Sequence, residues 1–176
     1  SADSSILIDA GLSQKKLAAR LQSIDRKPEN LDAVFLTHEH SDHVKGIGPL
    51  ARKYNLPVYC TKGTHEEIAG QNITDRRIME QTARVMIGDL TIEAYPTPHD
   101  AAEPVAFVVS HGSRKLGHAT DLGTVTPLVR EKLQHSDALL LEANHDVEML
   151  DAGTYSWPLK QRIKSDPVSY THLRAH

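Results

Sequence analysis

Ala33-Val34-Phe35-Leu36-Thr37-His38-Glu39-His40-Ser41-Asp42-His43 is the stretch that decides how this chain must fold. Residues 33–37 form a continuous, mostly apolar run suited to a buried strand, and imidazoles and carboxylates follow it without a spacer. Crowding His38, His40, Asp42 and His43 at the end of a buried strand is costly unless something binds them, and divalent metal ions are the natural ligand. His38 and His40 point to the same side of the loop and can hold one ion, while Asp42 and His43 can reach a second. Neutral imidazole and carboxylate suit Zn²⁺, with Mn²⁺ an option where oxygen ligands contribute.

Upstream, Ile6-Leu7-Ile8-Asp9-Ala10-Gly11 reads as a strand ending at a glycine turn. Ser13 then caps a helix with Leu17, Leu21 and Ile24 on one face, and Pro28-Glu29-Asn30 ends it. Downstream, a short helix over 48–54 and a strand over 57–60 continue a β-α-β rhythm, which predicts an α/β layered fold. Residues 61–82 are polar and weakly periodic, with a helix expected only over 65–70. Residues 84–94 form a hairpin around Gly88-Asp89, and strands 105–110 and 115–120 form another. Thr126 with Pro127 opens a helix, 137–142 is a last buried strand, and 158–164 is a final helix.

At 176 residues, with no Gly/Ser- or Pro-rich linker, the chain is expected to form one domain. No apolar run approaches the roughly 18 residues of a membrane span. The net charge of −3 excludes a broad basic surface of the kind that binds nucleic acid non-specifically. Arg76, Arg77 and Arg84 make a modest basic group, better read as a solvated face than as a phosphate site. The single cysteine, Cys60, excludes an intrachain disulfide, is expected to be buried and inert, and leans toward a reducing, cytoplasmic location. No signal peptide is readable. A chain that starts at Ser1 and enters a strand almost at once looks like a piece of a longer reading frame.

Two further strand ends carry the same chemistry: Pro96-Thr97-Pro98-His99-Asp100 and Thr120-Asp121-Leu122-Gly123. Neighbouring strands lie about 4.8 Å apart, so loops at one sheet edge converge. Two cations about 3.5–4 Å apart, bridged by hydroxide and a carboxylate, make a hydrolytic centre.

Thr37-His38-Glu39-His40-Ser41-Asp42-His43 resembles the H-x-H-x-D-H signature of the metallo-β-lactamase fold hydrolases. Ile8-Asp9-Ala10-Gly11, Pro98-His99 and Ala119-Thr120-Asp121-Leu122-Gly123 match the other blocks of that family in order, over residues 6–166. Leu141-Glu142-Ala143-Asn144-His145-Asp146 and the run from Tyr155 through Trp157-Pro158 to Ile163 resemble the YycJ/WalJ-type members, described as 5′-to-3′ DNA exonucleases. The resemblance implies an αββα sandwich, incomplete here, with the site at one edge. It implies a domain over 1–166 and an unrelated tail over 167–176, similar to adaptor read-through. By the same resemblance His38, His40 and His99 bind one metal, Asp42 and His43 bind a second, Asp121 bridges both, and Asp9 braces the ligand loop. Asp42 also orients the nucleophile.

Two departures stand out. The strand that precedes Ile6 in the family is missing, and so is the Gly-His-Leu-Ser-Asn-like block that supplies a further histidine to metal two. Metal one is therefore expected to be the better held, and His172 in the tail is not assigned as a ligand. His145 is a candidate contact to a substrate phosphate, or else a loop cap. Asp100 is read as structural before it is read as orienting His99 or its loop, His118 as packing or solvent-facing, and His65, His111 and His135 as surface residues. The leading expectation is a dinuclear-metal phosphodiesterase with nucleic acid, DNA before RNA, as substrate and a metal-bridging hydroxide as nucleophile. The alternatives are a thioester or lactam hydrolase and an inactive metal-binding fragment.

Overall fold

Short apolar runs pair into two sheets in a computed structural model that describes residues 1, 3–142, 151–154 and 156–164. β1 (Ile6–Ile8), β2 (Ala33–Phe35), β3 (Val58–Cys60) and β4 (Arg76–Ile78) form a parallel sheet in that order. The second sheet runs β5 (Arg84–Ile87), β6 (Leu90–Pro96), β7 (Val105–His111) and β8 (Arg114–Ala119), all antiparallel, with β9 (Ala138–Leu141) added parallel to β8. The helices are α1 (Gln14–Gln22), α2 (Ser41–Val44), α3 (Ile47–Tyr54), α4 (Lys62–Glu67), α5 (Pro127–Leu133) and α6 (Trp157–Lys164).

Side-chain alternation along the central strands sorts the core into three apolar layers. Val34 and Leu36 face Leu17, Ile47 and Leu50 of α1 and α3. Ala33 and Phe35, one residue out of phase, face Ile92, Val105 and Phe107 of the other sheet. Ala106 and Val108, on the opposite face of β7, pack with Val129 of α5. The order is helices, sheet, sheet, helix, which is the expected αββα sandwich. Phe35 stacks on its sheet neighbour Tyr59 at 4.6 Å between ring centroids and fastens the two sheets by meeting Phe107 edge-on at 5.7 Å.

The structure departs from the sequence expectations in several places. β4 lies inside 61–82, where no strand was expected, because Arg76 and Arg77 hide the pattern: pairing with β3 recruits their backbone, and the Arg77 guanidinium stands 5.4 Å from the Tyr59 ring. Helix α4 starts earlier than residue 65, its first turn closed by Thr61, whose side chain accepts from the Thr64 N–H. Ala69–Gln71 is a separate 3₁₀ turn. Ser13 makes no side-chain cap to α1, whereas Thr126 does cap α5. The apolar run of β9 is exposed among the described residues, with Leu139 and Leu140 more than half accessible; it is the edge strand of its sheet, and continuous hydrophobicity alone does not reveal an edge. Among the described residues no helix is long and apolar enough to cross a membrane.

Candidate metal centre

Parallel pairing brings the carboxyl ends of β1 and β2 to one edge, and β6 and β8 deliver theirs to the same edge. Asp9 follows β1, the ligand loop follows β2, His99 follows β6 and Asp121 follows β8. The β1–α1 turn is pressed against the ligand loop: Ala10 donates its N–H to the His43 carbonyl at 2.6 Å, and Gly46 donates to Ala10 at 2.8 Å. A Cβ on Gly11 would stand 1.5 Å from the Asp42 carbonyl oxygen, so only glycine allows this approach.

Three ring nitrogens converge from two sheets. His38 Nε2 is 3.0 Å from His40 Nδ1, which is 3.1 Å from His99 Nε2. Nitrogens held by one tetrahedral zinc at about 2.0–2.1 Å stand roughly 3.4 Å apart, so these separations suit one cation. A second group joins His38 to His43 and Asp121, with His43 Nε2 2.7 Å from Asp121 Oδ2.

The proton inventory supports the fit. Asp9 Oδ2 is 2.8 Å from His43 Nδ1, and an ionised carboxylate only accepts, so this nitrogen carries the proton. His43 Nε2 then faces another carboxylate and needs a proton or a cation there. Burial pushes the His43 imidazole down, but hydrogen bonds to Asp121 and Asp9 outweigh it and leave it raised to about 10. Burial and the neighbouring His43 and His99 hold His38 down at about 3, as a neutral imidazole. Burial raises the Asp121 carboxyl, yet its hydrogen bond to His43 keeps it below its usual range. A neutral imidazole, an ionised carboxylate and crowded lone pairs are what a divalent ion requires.

Asp42 stands apart from both groups. It lies in α2, its side chain is 79% exposed, and its Oδ2 is 3.7 Å from His43 Nε2. Asp9 accepts from the Thr37 N–H and O–H, each at 2.8 Å, as well as from His43. Asp100 Oδ1 lies 3.5 Å from His99 Nδ1. His145, His172 and the tail lie outside the described residues.

Two glutamates at the site were given no role in the sequence reading. Glu142, just past β9, accepts the Asp121 N–H on its Oε2, and Asp121 itself has a left-handed φ of 51°. Burial and the Asp121 charge push the Glu142 carboxyl up. Glu39, between two of the histidines, accepts the Ala102 N–H at 2.7 Å and so ties the His99 loop to the β2 loop. Glu103 anchors the same segment by accepting the Gly63 N–H at 2.7 Å. A charge-assisted hydrogen bond contributes about 1.5–3 kcal/mol. Glu39→Ala is therefore expected to speed amide exchange at Ala102 by at least about 10-fold, while Glu39→Gln, which keeps an acceptor oxygen, changes it little. Equal exchange in all three proteins would rule out the tie.

The remaining residues divide clearly. His118 is buried, with its Nδ1 unpartnered, so it packs. His65 is half-buried with a buried Nδ1 and is not the surface residue expected, because α4 begins earlier and carries it inward. His111 pairs with Asp89 at 2.9 Å. Arg76 donates to the Ala69 carbonyl and Arg77 to Asp75 and the Tyr59 hydroxyl, so both are occupied structurally. Cys60 is buried, and burial pushes its thiol up to about 11.

Residues 4–166 match the family model described as the β-lactamase superfamily domain. The chain is 40% identical over 167 residues to the exodeoxyribonuclease WalJ of Streptococcus pneumoniae, covering 92% of this chain and 62% of that protein. It is also 40% identical over 165 residues to the exodeoxyribonuclease YycJ of Bacillus anthracis, with the same coverage. The chain thus spans about three fifths of the length of these curated relatives. Among solved structures, the metallo-β-lactamase fold protein YhfI of Bacillus subtilis superposes with a TM-score of 0.70 at 25% identity, over 82% of this chain and 62% of that one.

Proposed function

Because the chain belongs to the β-lactamase superfamily, we propose that it is a metal-dependent phosphodiesterase acting on DNA ends, with two divalent cations, Zn²⁺ before Mn²⁺. His38, His40 and His99 would hold the first cation and Asp42 and His43 the second, with Asp121 as a further carboxylate ligand. The observation that carries this reading is the convergence of His38 Nε2, His40 Nδ1 and His99 Nε2, beside the short His43–Asp121 contact. The similarity to two exodeoxyribonucleases supplies the substrate class.

When bound, the cations supply an acidified water as nucleophile and offset charge on the phosphoryl oxygens. The chain's own residues do the rest. Asp42, exposed beside His43, stands where it can accept a hydrogen bond from the attacking water and orient it. Asp9 keeps the His43 Nδ1 proton in place, which leaves Nε2 free to ligate. Glu142 holds the Asp121 loop through its backbone N–H. Arg76 and Arg77 are already engaged within the chain, so attraction of the phosphate would rest on the charge of the bound cations. His145, which lies outside the described residues, is kept from the sequence as a candidate contact to the substrate phosphate or to a metal ligand, or else as a loop cap. A cytoplasmic location accords with the unpaired Cys60.

Chain stripped with chelator and reloaded with Zn²⁺ or Mn²⁺ is expected to release mononucleotides from 5′-labelled DNA and to cleave bis(p-nitrophenyl) phosphate, and to do neither before reloading. Full metal loading with no cleavage of either substrate would overturn the reading. Turnover of S-lactoylglutathione or nitrocefin without phosphodiester cleavage would transfer it to acyl hydrolysis.

A further inference from the structure

We propose that the Thr37 hydroxyl is a positioning group that sets the tautomer of His38 and connects it to the Asp9 carboxylate. Thr37 continues the face of Ala33 and Phe35 and is buried between the sheets. Its Oγ1 lies 2.8 Å from Asp9 Oδ2, 2.9 Å from His38 Nδ1 and 3.3 Å from His43 Nδ1.

A hydroxyl has one proton and two lone pairs, and an ionised carboxylate only accepts. The Thr37 proton is therefore committed to Asp9. The hydroxyl then meets His38 as an acceptor, so His38 Nδ1 carries the imidazole proton and donates it to Thr37. In a neutral ring this puts the lone pair on Nε2, the atom 3.0 Å from His40 Nδ1 and directed into the converging group. His43 differs in reaching Asp9 directly at 2.8 Å. One carboxylate thus orients two imidazoles, one by contact and one through the threonine.

The main chain at Thr37 is anchored separately from the hydroxyl. Its N–H donates to Asp9 Oδ1 at 2.8 Å, and its carbonyl accepts from Val105 at 3.0 Å. Thr37→Val, of the same shape without the hydroxyl, therefore removes the relay while keeping the strand. Thr37→Ser restores it.

The inference rests on the metal-site reading only for its affinity arm; the tautomer arm needs no metal. In metal-free ¹⁵N-labelled protein, long-range ¹H–¹⁵N spectra of the imidazoles are expected to show His38 protonated at Nδ1 in wild type and in Thr37→Ser, and no longer fixed in that form in Thr37→Val. Zinc affinity, measured by competition with a chromogenic chelator, is expected to fall about 10–100-fold in Thr37→Val and to recover in Thr37→Ser, the range seen when an outer hydrogen-bond partner of a metal-ligating histidine is lost. An unchanged His38 spectrum in Thr37→Val overturns the proposal, whatever the affinity does. If wild type binds no zinc while the His38 spectra change as expected, the metal reading fails and the tautomer assignment stands.

Discussion

His38→Ala is expected to lower kcat/KM for phosphodiester cleavage by at least about 1,000-fold and to lose the metal held with His40 and His99, the largest effect foreseen for any single replacement. His38 belongs to both converging groups, alongside His40 and His99 in one and His43 and Asp121 in the other. It is almost wholly buried, so water does not replace its nitrogen cheaply. His99→Ala removes a ligand from the first group only and serves as the comparison. Metal content by mass spectrometry, alongside the activity of the same preparations, makes the test. A His38→Ala chain that keeps two metal equivalents and near-wild-type activity would sink the ligand assignment, and the melting curve of the metal-free variant separates ligand loss from unfolding.

Asp9→Ala is expected to destabilise the metal-free chain by about 3–5 kcal/mol. Three donors, the Thr37 N–H, the Thr37 O–H and the His43 Nδ1–H, lose their shared acceptor. Each buried group left unsatisfied costs about 1–3 kcal/mol, partly recovered by relaxation and water. Alanine also tolerates the left-handed φ of 61° at this position less well than aspartate, which adds roughly 1 kcal/mol. The corresponding fall in Tm is about 10 °C for a chain of this size. Asp9→Asn keeps an acceptor oxygen and accepts a left-handed φ, so it is expected to lose much less. Urea unfolding of the three proteins without metal is the measurement. A loss within about 1 kcal/mol for Asp9→Ala would mean that the ligand loop is held by its backbone contacts alone.

Much of this architecture was legible before any coordinates. Ala33 to Leu36 announced a strand buried on both faces, and the structure puts Val34 and Leu36 against helices and Phe35 against the other sheet. The hairpin at Gly88-Asp89 and the Thr126 cap were equally plain, because turn and cap chemistry is local. β4 was not, since a strand of arginines has no apolar alternation and exists by pairing with β3. The exposure of β9 was not either, because an edge strand and a central strand share one composition.

The site divides along the same line. Local chemistry named His38, His40, His43, His99 and Asp121 as metal-type residues, and all of them are brought together in the structure. Asp42 shared their motif but belongs to neither converging group: it sits in the first turn of α2, 79% exposed, with its Oδ2 3.7 Å from His43 Nε2. Glu39 and Glu142 act on backbone N–H groups 63 and 21 residues away in the chain, and partners that distant leave no periodic trace.

By itself, then, the sequence determined the alternation that builds the apolar layers and the donor chemistry at the end of β2, since both follow from neighbouring residues. Only the tertiary structure decided which nitrogens meet, and that Thr37 stands between Asp9 and His38. The meeting with His99 and Asp121 depends on how two sheets pack face to face across Phe35 and Phe107, and the place of Thr37 beside Asp9 on the parallel pairing of β1 with β2.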